Sequence, residues 1–337
     1  MLTLTRPTER IALPHAALQR SRILVESIEA DEERRRGLEA GLAAQPPQIS
    51  PKFFYDEQGC ALYQAICNLD EYYPTRTEQA IFATHRADIA RHLPRGGQWV
   101  DLGCGDGAKS WPWLPVVEAV RYVGVDIAPT WLEQTLRAGQ LRCPEVECLG
   151  VVTDFNRPLQ LNTVLRSNAG LPPTVFYPGS SIGNFVPDEA ERLLRGIRAH
   201  LGRHGRLLIG VDAPKAPEVL QAAYDDALGV TAAFNRNVLR VVNRELGSDF
   251  VPGRFNHRAW YNEAEGRVEM HLVANENHAV RIGGGSRRFE RGDVIVTEYS
   301  YKYAAGQFEA LLEKAGYTDI RRWSDDRGWF NVFVAGA

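Results

Sequence analysis

The segment Asp101-Leu102-Gly103-Cys104-Gly105-Asp106-Gly107 follows a short apolar run, and its glycines let the backbone pass close to a ligand where any Cβ would collide. A dinucleotide site would carry G-x-G-x-x-G, with a pyrophosphate resting on the following helix N-terminus. Here the spacing is G-x-G-x-G, and Asp106 stands where it would repel phosphate. A zwitterionic amino-acid tail joined to a sulfonium suits this loop better. Two more acids end the next two apolar runs. Asp126 can accept both hydroxyls of a ribose, and Asp154-Phe155 offers an acceptor for an adenine amine beside an aromatic wall. In this order the features point to S-adenosylmethionine, with S-adenosylhomocysteine as the product. Gly103, Lys109, Asp126, Asp154 and Phe155 are the expected cofactor residues, although Pro112 and Pro115 disturb the helix expected after the loop and leave the position of Lys109 open.

These residues need a scaffold that brings strand ends together. Trp99–Leu102, Tyr122–Val125, Gly150–Thr153, Thr174–Tyr177 and Arg206–Val211 are short apolar runs with helical patterns between most of them. Such alternation predicts a doubly wound parallel sheet that binds ligands at the carboxyl ends of its strands. Trp329–Val334 reads as a last strand closing the sheet antiparallel. The expected fold is therefore an α/β, Rossmann-like class I methyltransferase core carrying an inserted α+β substrate-binding domain. Residues 78–212 and 303–337 form the expected core, and residues 20–77 and 213–302 the substrate domain. Within the latter, helices are expected from about Arg20 to Leu42 and from Glu218 to Leu239, and strands at Arg267–Val273 and Val294–Tyr301. A further helix is expected over Gln307–Ala315. The clusters Phe53-Phe54-Tyr55-Asp56 and Glu71-Tyr72-Tyr73-Pro74-Thr75-Arg76 read as binding loops rather than core.

Composition removes several function classes. The 337 residues include 39 basic and 42 acidic side chains, interleaved throughout, so no basic stripe marks a nucleic-acid partner. The five cysteines lack paired C-x-x-C spacing, and the histidines are scattered, so neither a metal site nor a disulfide framework is expected. No signal-like or membrane-spanning apolar stretch is visible, and a cytoplasmic monomer acting on a small molecule, with no membrane partner, is expected.

The segments Phe54-Tyr55-Asp56, Glu71-Tyr72-Tyr73-Pro74-Thr75-Arg76-Thr77-Glu78, Gly179-Ser180-Ser181-Ile182-Gly183-Asn184, Ala223-Tyr224-Asp225-Asp226, Phe234-Asn235-Arg236-Asn237 and Thr297-Glu298-Tyr299-Ser300 resemble the histidine-specific Nα-methyltransferases of ergothioneine biosynthesis. The resemblance runs from about Arg22 to the end, with the motifs in order. It implies methylation of the α-amino nitrogen of L-histidine, up to the trimethylated product hercynine. It also implies that Asn184 and Tyr224 hold the substrate carboxylate, and that Tyr72, Glu298 and Ser300 recognise the imidazole. Met270 would pack on the ring, and Tyr55 and Gly179 would lie at the reacting amine. The residues themselves agree in part: Glu298 and Ser300 are two apart on a strand pattern and face one side, and a carboxylate with a hydroxyl can engage both ring nitrogens. Without the resemblance, they read more readily as a surface cross-strand pair.

Other readings remain open at this stage: an Nα-methyltransferase of another aromatic amino acid or of a histidine derivative, and a non-catalytic protein that only binds S-adenosylmethionine. A carboxylate buried against indole would be poorly satisfied, which disfavours tryptophan. A nicotinamide dehydrogenase is disfavoured by the glycine spacing.

Overall fold

The computed structural model describes residues 22–25, 31–165 and 170–337. The chain opens with β1 (Arg22–Val25), α1 (Asp31–Ala43), α2 (Glu57–Ile66) and α3 (Tyr73–Ala90). Arg22–Val25 is therefore extended, where a helix from Arg20 was expected; its β-branched residues add an edge strand to the main sheet. The rest of that expected helix before Asp31 lies outside the described residues.

β2 (Gln98–Leu102), β3 (Arg121–Asp126), α4 (Pro129–Arg142), β4 (Glu147–Val152), β5 (Pro173–Tyr177), α5 (Pro187–Leu201) and β6 (Arg206–Asp212) follow. The strands match the five apolar runs of the sequence and are buried almost throughout, as strands covered on both faces must be. The helix expected between β2 and β3 is absent. Pro112 and Pro115 lack N–H groups, and the chain there folds into turns, with Trp113 N–H donating to the Ser110 carbonyl at 2.9 Å and Val117 N–H to that of Trp113 at 3.0 Å.

Beyond β6 come α6 (Pro217–Tyr224), α7 (Val230–Leu246), β7 (Phe255–Asn262), β8 (Arg267–Ala274), β9 (His278–Ile282), β10 (Gly285–Phe289), β11 (Val294–Tyr301), α8 (Ala305–Lys314), β12 (Thr318–Ser324) and β13 (Phe330–Gly336). The single helix expected over Glu218–Leu239 is broken in two. Asp226 accepts from the N–H groups of Val230 and Thr231 at 3.0 and 2.7 Å, and so caps a new helix start.

The main sheet has the order β1-β4-β3-β2-β5-β6-β13-β12, parallel from β1 to β6, with β13 reversed and so paired antiparallel to both β6 and β12 at one end. This is the α/β class I methyltransferase fold. β7, β8 and β11 form a separate antiparallel sheet, against which α6 and α7 pack. Phe53, Phe54, Tyr72 and Tyr73 are buried in or beside that packing rather than carried on exposed loops; Phe54 stacks on Phe234 at 4.5 Å, and Tyr73 opens α3. Aromatic side chains of this size remove too much apolar surface from water to be left on a turn.

The two sheets meet at the end of β6. The fully buried Asp212 carboxylate accepts from Tyr73 Oη at 2.6 Å and from Lys215 Nζ at 2.6 Å, and its Oδ2 lies 3.0 Å from Lys302 Nζ, just past β11. Its own N–H donates to Ser180 Oγ at 2.9 Å. Removing one partner of a buried ion pair leaves the other charge uncompensated. Asp212→Asn is expected to lower stability by about 3–5 kcal/mol in urea unfolding, against about 0–1 kcal/mol for an exposed pair such as Arg137–Glu133.

Candidate active site

A cleft of about 790 Å³ opens at the carboxyl ends of β2, β3, β4 and β5, and Gly103, Lys109, Asp126, Asp154 and Phe155 all line it. Gly103 has φ +69°, which turns the backbone sharply away from β2. Asp126 accepts from Gly105 N–H and Ala128 N–H, each at 3.0 Å, so it braces the glycine loop while keeping lone pairs for further donors. Burial raises its pKa above the ordinary carboxylate range despite these bonds. Asp154 Oδ2 is paired with Lys52 at 3.0 Å, and its Oδ1 accepts from both nitrogens of Asn156; Phe155 stands beside it against Tyr177. Lys109, whose position the sequence left open, reaches into the cleft and donates to Glu78 at 2.6 Å. Carboxylates for a ribose and an amine, an aromatic wall and a backbone cradle fit S-adenosylmethionine.

A second, smaller chamber of about 40 Å³ lies beneath this cleft, large enough for a few water molecules or a small ring. Tyr55, Tyr72, Gly179, Asn184, Tyr224, Met270, Glu298 and Ser300 all line it, so the fold brings together residues spread over most of the chain. Tyr55, Gly179 and Asn184 belong to both walls and mark where cleft and chamber join. Gly179 has φ +78°, and a Cβ there would come within 3.1 Å of Lys109 Nζ.

The face that Glu298 presents is set by a bulge. Along β11, Ile295 pairs with Leu272 and Val296 with His271, but Glu298 then pairs with Met270, so Thr297 is an extra residue. In an unbroken strand Glu298 and Ser300 would share the face of Val296. The bulge turns them to the side of Met270 and Val268, and Thr297 Oγ1 fixes it by donating to the Met270 carbonyl at 2.9 Å.

Burial pushes the Glu298 carboxyl up to about 7, with Lys302 pulling the other way. The phenols of Tyr55, Tyr63 and Tyr72 are held well above their ordinary value, mainly by burial, and the charge of Glu298 adds to the effect on Tyr55. They keep their protons at neutral pH and serve as hydrogen-bonding groups, not bases.

Sequence reasoning missed two groups. Glu78 is fully buried behind the junction, accepting from Gly179 N–H at 2.8 Å and from Lys109, so it ties the wall of the cleft to that of the chamber. Lys302 donates to Tyr224 Oη and Ser300 Oγ, each at 2.8 Å. The pattern that singled out Glu298 and Ser300 continues two residues further to Lys302, so its side of the strand was legible; its burial was not.

Residues 34–337 match a protein family described as histidine-specific, SAM-dependent methyltransferases. The histidine N-alpha-methyltransferase of Mycobacterium tuberculosis is 36% identical over 307 residues, covering 89% of this chain and 94% of that protein. The Mycolicibacterium smegmatis protein of the same name is 36% identical over 312 residues, with 91% and 95% covered. Ergothioneine biosynthesis protein 1 of Neurospora crassa is 30% identical over 286 residues, covering 83% of this chain and 32% of that longer protein.

Two outcomes follow from this geometry. Asp126→Ala should weaken S-adenosylmethionine binding by roughly 1.5–3 kcal/mol for each hydrogen bond lost to the charged group, with a much smaller change in melting temperature; calorimetry against S-adenosylmethionine, S-adenosylhomocysteine and NAD reads the first effect and the cofactor class together. In carboxyl-labelled protein, Glu298 should titrate near 7, against about 4.3 for a solvated glutamate, and the signal should be identified by its loss in Glu298→Gln.

Proposed function

The chain belongs to the histidine-specific, S-adenosylmethionine-dependent methyltransferases, and from that premise we propose that it methylates the α-amino nitrogen of L-histidine three times in succession, giving hercynine for ergothioneine biosynthesis. The observation that carries this reading is the polarity of the chamber. Glu298 supplies its carboxylate, the buried Lys302 cation stands behind Tyr224 and Ser300, and the opening toward the cleft is at Tyr55, Gly179 and Asn184.

An amino acid with a hydrogen-bonding ring fits this polarity one way round. Tyr224, backed by the Lys302 cation, and Asn184 receive the carboxylate. Glu298 and Ser300 take the two ring nitrogens, Tyr72 borders the ring, and Met270, in register with Glu298 on the neighbouring strand, packs on it. The α-amine then lies at the junction beside Tyr55 and Gly179. S-adenosylmethionine supplies an already activated methyl group on sulfur. What the chain adds is alignment, which alone can remove several kcal/mol of barrier. Tyr55 retains its own proton, so it accepts or donates a hydrogen bond at the amine without acting as its base.

Repeated methylation replaces N–H donors by methyl groups and leaves a permanent cation. The junction suits that progression, because the Tyr55 ring lies 6.0 Å from Tyr63 and 6.2 Å from Phe234, and aromatic faces stabilise ammonium groups without needing a donor. The five cysteines are unpaired, which fits a reducing cytoplasm.

A site built to hydrogen-bond a polar ring rejects analogues lacking it by as much as about 10⁴-fold, because its own groups are left unpaired. Phenylalanine is therefore expected to be methylated by that factor less efficiently than histidine in kcat/KM. Glu298→Ala should lower turnover of histidine and narrow the gap to phenylalanine and tryptophan. Equal turnover of histidine and tryptophan by the unaltered protein would refute the substrate assignment, and mass spectrometry of the products counts the methyl groups.

A further inference from the structure

Lys302 has no exposed side-chain surface, and each of its three N–H bonds has an acceptor: Tyr224 Oη and Ser300 Oγ at 2.8 Å, and Asp212 Oδ2 at 3.0 Å. The two hydroxyl oxygens are themselves 2.8 Å apart. Oxygens at that separation need a proton between them, and an ammonium accepts none. Of the two hydroxyl protons, one is thus spent inside the triangle. One remains for the chamber.

Two arrangements satisfy this count. If Tyr224 donates to Ser300, the serine offers its proton to the chamber, while the remaining lone pair of Tyr224 faces the substrate carboxylate, where two acceptors would repel. If Ser300 donates to Tyr224, the phenol donates to the carboxylate, and the remaining lone pair of Ser300 accepts from the ring. Only the second arrangement is compatible with a carboxylate at Tyr224, the placement proposed above, on which this inference depends. Above about pH 7 Glu298 is ionised, so Ser300 and Glu298 are then both acceptors, and a ring held between two acceptors needs a proton on each nitrogen.

We infer that Lys302 is a positioning residue which, by pinning Tyr224 and Ser300 into a one-donor pair, makes the enzyme bind histidine with its ring as the imidazolium, ion-paired to Glu298. The other ionisable groups around the chamber do not compete for this role. Tyr55, Tyr63 and Tyr72 are neutral phenols, and Asp212 is committed to Tyr73, Lys215 and Lys302.

The test uses the full-length protein saturated with S-adenosylhomocysteine and histidine labelled with nitrogen-15 in the ring, at about pH 8, well above the ordinary imidazole value of about 6.5. Both bound ring nitrogens should show the shifts of protonated nitrogen, and calorimetry in buffers of different ionisation heat should show close to one proton taken up per histidine. One protonated and one bare nitrogen, with no uptake, overturns the inference while leaving histidine as the substrate. Failure of histidine to bind at all overturns both. Tyr224→Phe, a mild change, leaves Ser300 free to donate its own proton, and Lys302→Met unpins the two oxygens. In each the ring should be bound neutral, uptake should vanish, and KM for histidine should rise at least tenfold with a smaller change in kcat. Persistence of the proton uptake in Tyr224→Phe shows that the triangle does not set the state of the ring.

Discussion

An ammonium with no access to water must have its charge balanced and all its protons accepted, and Lys302 is the group for which this molecule meets that demand. Burial alone would favour the neutral amine, but Tyr224 and Asp212 outweigh it and hold the lysine above its ordinary pKa. The partners come from distant parts of the chain: Asp212 ends a strand of the main sheet, Tyr224 ends α6, and Ser300 precedes Lys302 on the separate sheet. Satisfying one side chain therefore fixes how α6 and the separate sheet sit on the main sheet. Asp212 also carries Tyr73 and Lys215, and burial brings the Lys215 ammonium down to about 8 even beside that carboxylate. Of the two lysines, Lys302 is the one held as a permanent cation.

From that centre the division of labour between cleft and chamber is electrostatic. The cleft wall is rich in carboxylates at strand ends, suited to a cationic ligand that carries hydroxyls and an amine. The chamber has one carboxylate, a cation concealed behind two hydroxyls, and neutral phenols. Glu78 joins the two walls, since the carboxylate that neutralises Lys109 also orders Gly179. The link between cleft and chamber at the junction thus runs through a fully buried side chain.

The central sheet was legible because its signal is local. Each buried parallel strand is a mostly apolar run, with Asp126 and Asp212 ending their strands and Asp154 two residues past the end of β4. The cofactor side followed from that spacing. That the residues of the chamber belong together was legible only through resemblance, because Tyr55, Asn184, Tyr224 and Glu298 meet by tertiary packing that no periodicity encodes. The misreadings have physical causes as well. Arg22–Val25 was absorbed into a charged helical pattern, although its pairing with β4 decides its conformation. The buried aromatics at Phe53, Phe54, Tyr72 and Tyr73 sit among prolines and acids and so look like loop residues, while their burial depends on α7 and the separate sheet. Lys302 was passed over because an isolated lysine normally marks a solvated surface.

The extra residue at Thr297 gives β11 two alternation phases: Ile295 packs into the substrate-side core before it, and Glu298 and Ser300 line the chamber after it, while Tyr299, beneath the Arg267 guanidinium at 3.8 Å, packs toward the opposite core. Positions that line the chamber and positions that pack toward the opposite core are thereby sorted into separate sets on one strand. Straightening the strand at Thr297 would exchange the two sets and turn Glu298 and Ser300 out of the chamber. For an engineer, position 298 can be varied without removing an acceptor of Lys302, whereas a change at Ser300 also strips that buried lysine of one of its partners.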